Sequence, residues 1–119
     1  MRHPGQIAII RFPDANLESG KLRPVLLVAE LPGNFNDWLV SMISTQLRHE
    51  VRGFDEVIRE DASDFSGSGL KTASLLRVGR LAVIDGSTLI GAIGEISFER
   101  LIRVRNHLAA WLSAKPESG

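Results

Sequence analysis

Apolar residues in this chain fall into short clusters separated by polar turns, until a stretch of helical spacing begins near residue 97. The clearest cluster is VLLVA, residues 25–29, bounded by Gly20 and Pro24 on one side and by Pro32 and Gly33 on the other. A short, β-branched, leucine-rich run between turn residues predicts a buried strand. Residues 5–12 predict a first strand with Ile7, Ile9 and Phe12 toward the core, and Pro13, Asp14 and Asn16 open a polar loop that ends at Gly20. Further strands are predicted over residues 38–43, 54–59, 75–84 and 88–96, the second of these with imperfect alternation. Residues 66–69, SGSG, read as a turn, because no GKS or GKT follows to make a phosphate loop.

Ser97 predicts a helix N-cap, with Glu99 in the first turn. Phe98, Leu101, Ile102, Leu108, Trp111 and Leu112 then recur at helical spacing and predict one apolar face. Arg100, Arg103 and Arg105 lie largely off that face, which predicts a solvated basic side. The chain therefore reads as one mainly β domain over residues 1–114, a strongly curved antiparallel sheet capped by a C-terminal helix, with a polar tail at 115–119.

Composition narrows the function classes. The 119 residues suit a single domain that gains stability by pairing, and 14 basic against 14 acidic residues leave no overall field for collecting polyanions. Any nucleic-acid contact must then be local. Cysteine is absent, so the fold needs neither disulfides nor thiolate metal sites. The N-terminal apolar run is too short for a signal peptide and no stretch approaches a membrane span, so the expectation is a soluble, cytoplasmic protein with no membrane partner. The acidic run EDASD, residues 60–64, lacks the ligand periodicity of a calcium loop and reads as a solvated turn; with no HExxH pattern, no metal or other cofactor is expected.

Two places carry candidate chemistry. Pro24 has no backbone donor and fits only the start or edge of a strand, so Arg23 sits at a mouth of the sheet. There its guanidinium either clamps a phosphate bidentately or is an ordinary solvated arginine. Ser44, Thr45 and Gln46 place two hydroxyls and an amide where an apolar strand emerges, suited to a ribose or phosphate and equally to plain strand-end hydrogen bonding. His3, His49 and His107 have no patterned partner.

IAIIRF after Gly5, LESGKLRPVLLVAE, LVSMISTQ, SGLKTAS and IGAIGEIS before a helix occur in one order along nearly the whole chain. That order resembles the MazF/PemK-type toxins of type II toxin–antitoxin systems. The resemblance implies an SH3-like small barrel of the MazF/PemK and CcdB type, working as a homodimer with a groove near its two-fold axis. It implies an mRNA interferase, a metal-independent endoribonuclease that cuts single-stranded RNA at short preferred sequences and leaves 2′,3′-cyclic phosphate and 5′-hydroxyl ends. The family's functional arginine and threonine match Arg23, which would stabilise the pentavalent phosphate, and Thr45, which would hold the reacting atoms in line. RNA contacts are expected from Glu18, Lys21, Ser44, Gln46, Arg80 and Asp85. An arginine that some relatives carry shortly before the acidic position falls on Ala82 here, with Arg80 as its substitute. Glu18 and Asp85 are the candidates for the general base. The resemblance also implies an antitoxin whose partly disordered tail lies in the groove; an acidic, apolar-studded peptide would suit the entrance at Lys21 and Arg23. The alternatives are a CcdB-like non-enzymatic gyrase poison, for which Trp111 is the residue to compare, and a catalytically silent member of the same fold.

Overall fold

The computed structural model describes residues 2–12 and 21–116. Six strands, β1 (Gln6–Phe12), β2 (Lys21–Glu30), β3 (Asp37–Ser44), β4 (Glu56–Ile58), β5 (Ser74–Asp85) and β6 (Gly91–Glu95), form one sheet in the order β4-β5-β3-β2-β1-β6. Every pairing is antiparallel. A one-turn helix, α1 (Phe65–Ser68), lies between β4 and β5 in the chain, and α2 (Phe98–Ser113) follows β6. This is the mainly β half-barrel with a C-terminal helix that the pattern predicts. Among the described residues no helix is long and apolar enough to cross a membrane.

The unbroken apolar run of β2 arises because both faces of the sheet are covered at its centre. Leu26 and Val28 join Ile7, Ile43, Leu76 and Val78 beneath α2, which contributes Leu101, Val104 and Leu108. Val25 and Leu27 point the other way and pack with Ala8, Ile10, Trp38 and Val40. A strand buried on both sides has no reason to alternate. For the same reason β1 buries Ala8 and Ile10 as well as Ile7, while Ile9 is only partly covered.

The two ends of the sheet, β4 and β6, do not pair with each other; α1 closes the gap by lying on β6. Gly69 ends α1 in the left-handed conformation, φ +75°, and a Cβ there would overlap the Ile93 carbonyl. A Cβ on Gly94 would overlap the Gly67 carbonyl in the same way. The clasp thus depends on two positions where only hydrogen fits. Residues 66–69 are more than the expected turn, since residues 65–68 complete a helical turn before Gly69 reverses the chain.

Two expectations about α2 are corrected. Ser97 does cap it, accepting the Arg100 N–H at 3.1 Å. The buried stripe, however, is Leu101, Val104 and Leu108, whereas Phe98, Trp111 and Leu112 are 71%, 50% and 64% exposed. Trp111 packs edge-on against Phe54, ring centroids 5.6 Å apart. Nor is the basic side wholly solvated. Arg100 is buried, its Nε and Nη2 donating to the two Asp64 carboxylate oxygens at 2.8 and 3.1 Å and its Nη1 to Glu56 Oε1 at 3.0 Å and to the Val57 carbonyl at 3.1 Å. Arg105 donates to the Val28 carbonyl. The first turn of α2 is thus tied both to β4 and to the connection from β4 to α1.

Asp64 therefore leaves the solvated acidic turn expected for residues 60–64 and also accepts the Ser97 N–H at 3.1 Å. Burial pushes its carboxyl up, but the hydrogen bonds from Arg100 and Ser97 and the Arg100 charge outweigh it and hold the pKa at about 2. Burial likewise disfavours the Arg100 charge, and Asp64 and Glu56 more than restore it, raising the guanidinium above its ordinary value.

Candidate nucleic-acid groove

Arg23 stands opposite Ile10 of β1 and Pro24 opposite Ile9, whereas the ladder between β2 and β3 begins only at Val25, opposite Met42. Pro24 thus lies where the ladder to β3 stops, the place a residue without an N–H donor can occupy. The exposed end of β2 consequently flanks the end of β3 and leaves a groove of about 570 Å³. One wall is Leu22 and Arg23, another is Ser44, Thr45 and Gln46, and a third is Leu70, Lys71 and Thr72, which follow the α1 clasp; Ile9, Ile43 and Ile93 supply apolar surface. No carboxylate is among its described lining residues.

Local hydrogen bonds fix the β3 wall. Ser44 Oγ accepts the Gln46 N–H at 3.0 Å, and Gln46 Oε1 accepts from Arg48. Ser44 and Gln46 are therefore occupied in shaping the turn, and Thr45, exposed between them, is the hydroxyl left without a partner among the described residues. Arg23 also has no ion pair or hydrogen bond with a described residue. A guanidinium and a hydroxyl without described partners, with Lys71, around a groove whose described lining holds no carboxylate can neutralise a phosphodiester and orient its oxygens.

A second pocket of about 270 Å³ shares Arg23, Pro24, Ile43 and Ser44 with the first and adds Met42, Arg77 and Arg80. Of the residues expected from the sequence, Arg23, Ser44, Thr45 and Gln46 thus come together in the groove, and Arg80 joins Arg23 in the adjoining pocket. Lys21 is exposed at the same end of β2 but lines neither. Glu18 lies outside the described residues. Asp85 is not brought to the groove within one chain: it pairs with Asp37 at the far end of β3, while Ser44 pairs with Leu75. At the usual strand rise that is roughly 20 Å away. There the Asp85 carboxylate accepts the Ser87 N–H at 2.8 Å, a bond that holds its pKa below the ordinary value. Lys71, Thr72 and Arg77 were not singled out from the sequence, although Lys71 and Thr72 stand inside the SGLKTAS stretch.

A family model described as the PemK-like, MazF-like toxin of type II toxin–antitoxin systems matches residues 3–112. The chain belongs to this toxin family. No curated protein sequence matches it. Among solved structures, a chain of the MazE–MazF complex of Deinococcus radiodurans superposes with a TM-score of 0.69 at 17% identity, covering 96% of this chain and 97% of that one. An endoribonuclease in complex with its cognate antitoxin from mycobacterial species gives 0.65 at 13% identity, covering 98% and 100%. The Mycobacterium tuberculosis toxin MazF-mt6 gives 0.63 at 18% identity, covering 92% and 98%. At these identities the superpositions establish the SH3-like barrel; the family match establishes membership among the MazF/PemK toxins and disfavours the gyrase-poison alternative.

Proposed function

We propose that this toxin is an endoribonuclease acting on single-stranded RNA at the groove between β2 and β3. The observation that carries the proposal is the convergence of Arg23 and Thr45 on one groove whose described lining holds no carboxylate, each free of any partner among the described residues. In the reaction the ribose 2′-oxygen bonds to the adjacent phosphorus and the bond from phosphorus to the 5′-oxygen breaks. The 2′-proton passes to a base and the departing 5′-oxygen takes up a proton, leaving a 2′,3′-cyclic phosphate and a 5′-hydroxyl. Arg23 meets the charge that grows on the equatorial oxygens, and Thr45 holds a phosphate oxygen or the 2′-hydroxyl so that attack is in line. The proton acceptor is Glu18, which precedes β2 in the sequence, or Asp85, which within one chain stands too far from Thr45 and would have to come from a second copy. The toxin works as a homodimer, and its antitoxin closes the groove with an acidic, apolar-studded segment whose side chains match Arg23, Lys71 and the isoleucine surface.

The test is incubation of the purified protein with a long unstructured RNA in EDTA, with cut sites and end groups mapped beside Arg23→Ala and Thr45→Ala. Discrete cuts with cyclic phosphate ends, lost in both variants and kept in EDTA, are the expected result. Intact RNA after incubation with folded, antitoxin-free protein would overturn the reading.

A further inference from the structure

We propose that Arg77 and Arg80 form, with Arg23, a subsite for the backbone phosphate one nucleotide step from the scissile linkage. In a regular strand positions 77 and 80 face opposite sides of the sheet. In β5 they do not. Ser41 pairs with Leu81 but the next residue, Met42, pairs with Arg77, so Val78, Gly79 and Arg80 are extra residues looped out of the ladder. The bulge turns Arg80 to the side of the sheet that Arg77 already faces, and both line the 270 Å³ pocket with Arg23 and Met42.

The bulge is built from behind. The buried Asp55 carboxylate accepts the Val78 N–H at 3.1 Å through Oδ1 and the Val51 N–H at 2.9 Å through Oδ2. Phe54 packs where a Cβ on Gly79 would come within 3.1 Å of its ring, and the Phe54 carbonyl lies 2.7 Å from His107 Nδ1 on α2. A carboxylate is thus spent on the backbone of the bulge rather than on the arginines beside it. Arg23, Arg77 and Arg80 have no ion pair or hydrogen bond with a described residue, and no described acidic residue lines their pocket. Three like charges on one small concavity repel one another, and an anion removes that repulsion. Because the pocket and the main groove share Arg23 and Ser44, a strand whose reacting phosphate sits at Thr45 has its neighbouring phosphate at the arginine pocket.

The inference rests on the ribonuclease reading, and its test has two arms that separate the two. The first measures steady-state cleavage of a short single-stranded RNA by the wild type, Arg77→Gln and Arg77→Lys. The second measures binding of the all-2′-deoxy strand of the same sequence, which has no attacking hydroxyl, by fluorescence anisotropy over a range of salt. We expect Arg77→Gln to lower kcat/KM about tenfold through KM, with Arg77→Lys recovering part of the loss. The slope of log affinity against log salt should fall by about 0.7 in Arg77→Gln, one single-strand phosphate contact fewer. If the wild type cuts RNA and Arg77→Gln matches it in KM and salt slope, the subsite does not exist and the pocket takes an acidic side chain of a protein partner instead. If the wild type cuts nothing, the ribonuclease reading fails, and the binding arm still decides whether Arg77 contacts a backbone phosphate.

Discussion

Arg23 and Arg100 are the same side chain in opposite surroundings within one small barrel. Arg100 is buried, holds Asp64 through two hydrogen bonds and reaches Glu56 and the Val57 carbonyl, so every direction of its guanidinium is answered from within the protein. Arg23 is exposed at the end of β2 and answers to nothing among the described residues. The difference teaches how a chain with no net charge can bind a polyanion. It neutralises some cations internally and leaves others, Arg23, Lys71, Arg77 and Arg80, unpaired among the described residues around two adjoining concavities.

The comparison can be broken from either side. Arg100→Ala should have the largest effect, since it strands the Asp64 carboxylate in a partly buried site; about 3 to 5 kcal/mol of stability should be lost, read as a lower urea midpoint. Cleavage per folded molecule should be unchanged. Arg23→Ala should do the reverse, slowing single-turnover cleavage about 10²- to 10³-fold with the thermal midpoint retained. Equal losses of stability in the two variants would erase the distinction. Thr45→Ala should cost less, on the order of 1.5 to 3 kcal/mol of transition-state stabilisation, or roughly ten- to a hundredfold in rate, because one hydrogen bond to a charged group is removed.

A pH titration sharpens the Arg100 side further. The Asp64 pKa is about 2 in the folded protein against an ordinary value of 3.8. A depressed carboxylate contributes stability that is fully present above the unfolded value and disappears as pH falls through the folded one. The wild type should therefore lose on the order of 2 kcal/mol between pH 5 and pH 1 through this residue. Asp64→Asn should be weaker at neutral pH and should lack that part of the acid dependence, measured by urea unfolding at each pH.

What the sequence made legible followed from short-range rules. The VLLVA run announced a buried strand because both faces of β2 are covered, and Pro24 located Arg23 because a missing N–H restricts where the chain can pair. Ser97 announced the start of α2 because its cap is made three residues away. What stayed hidden depended on distant partners. Arg100 looked solvated because Asp64 and Glu56 are 36 and 44 residues from it in the chain. Arg77 went unmarked because a bulge in β5, held by Asp55 from 23 residues away, decides which face Arg80 shares with it. Asp85 looked close to Arg80 in sequence, yet five more residues along an extended strand carry it away from the groove.

The clasp between α1 and β6 has a consequence for anyone who wants to retarget this protein. Leu70, Lys71 and Thr72 leave Gly69 directly to become a wall of the groove, so their placement is inherited from a joint made of backbone alone. A library that randomises residues 70–72 while keeping Gly69 and Gly94 varies the lining on a constant frame. One that lets either glycine drift would mostly sample broken barrels, and altered specificity would be buried under loss of fold.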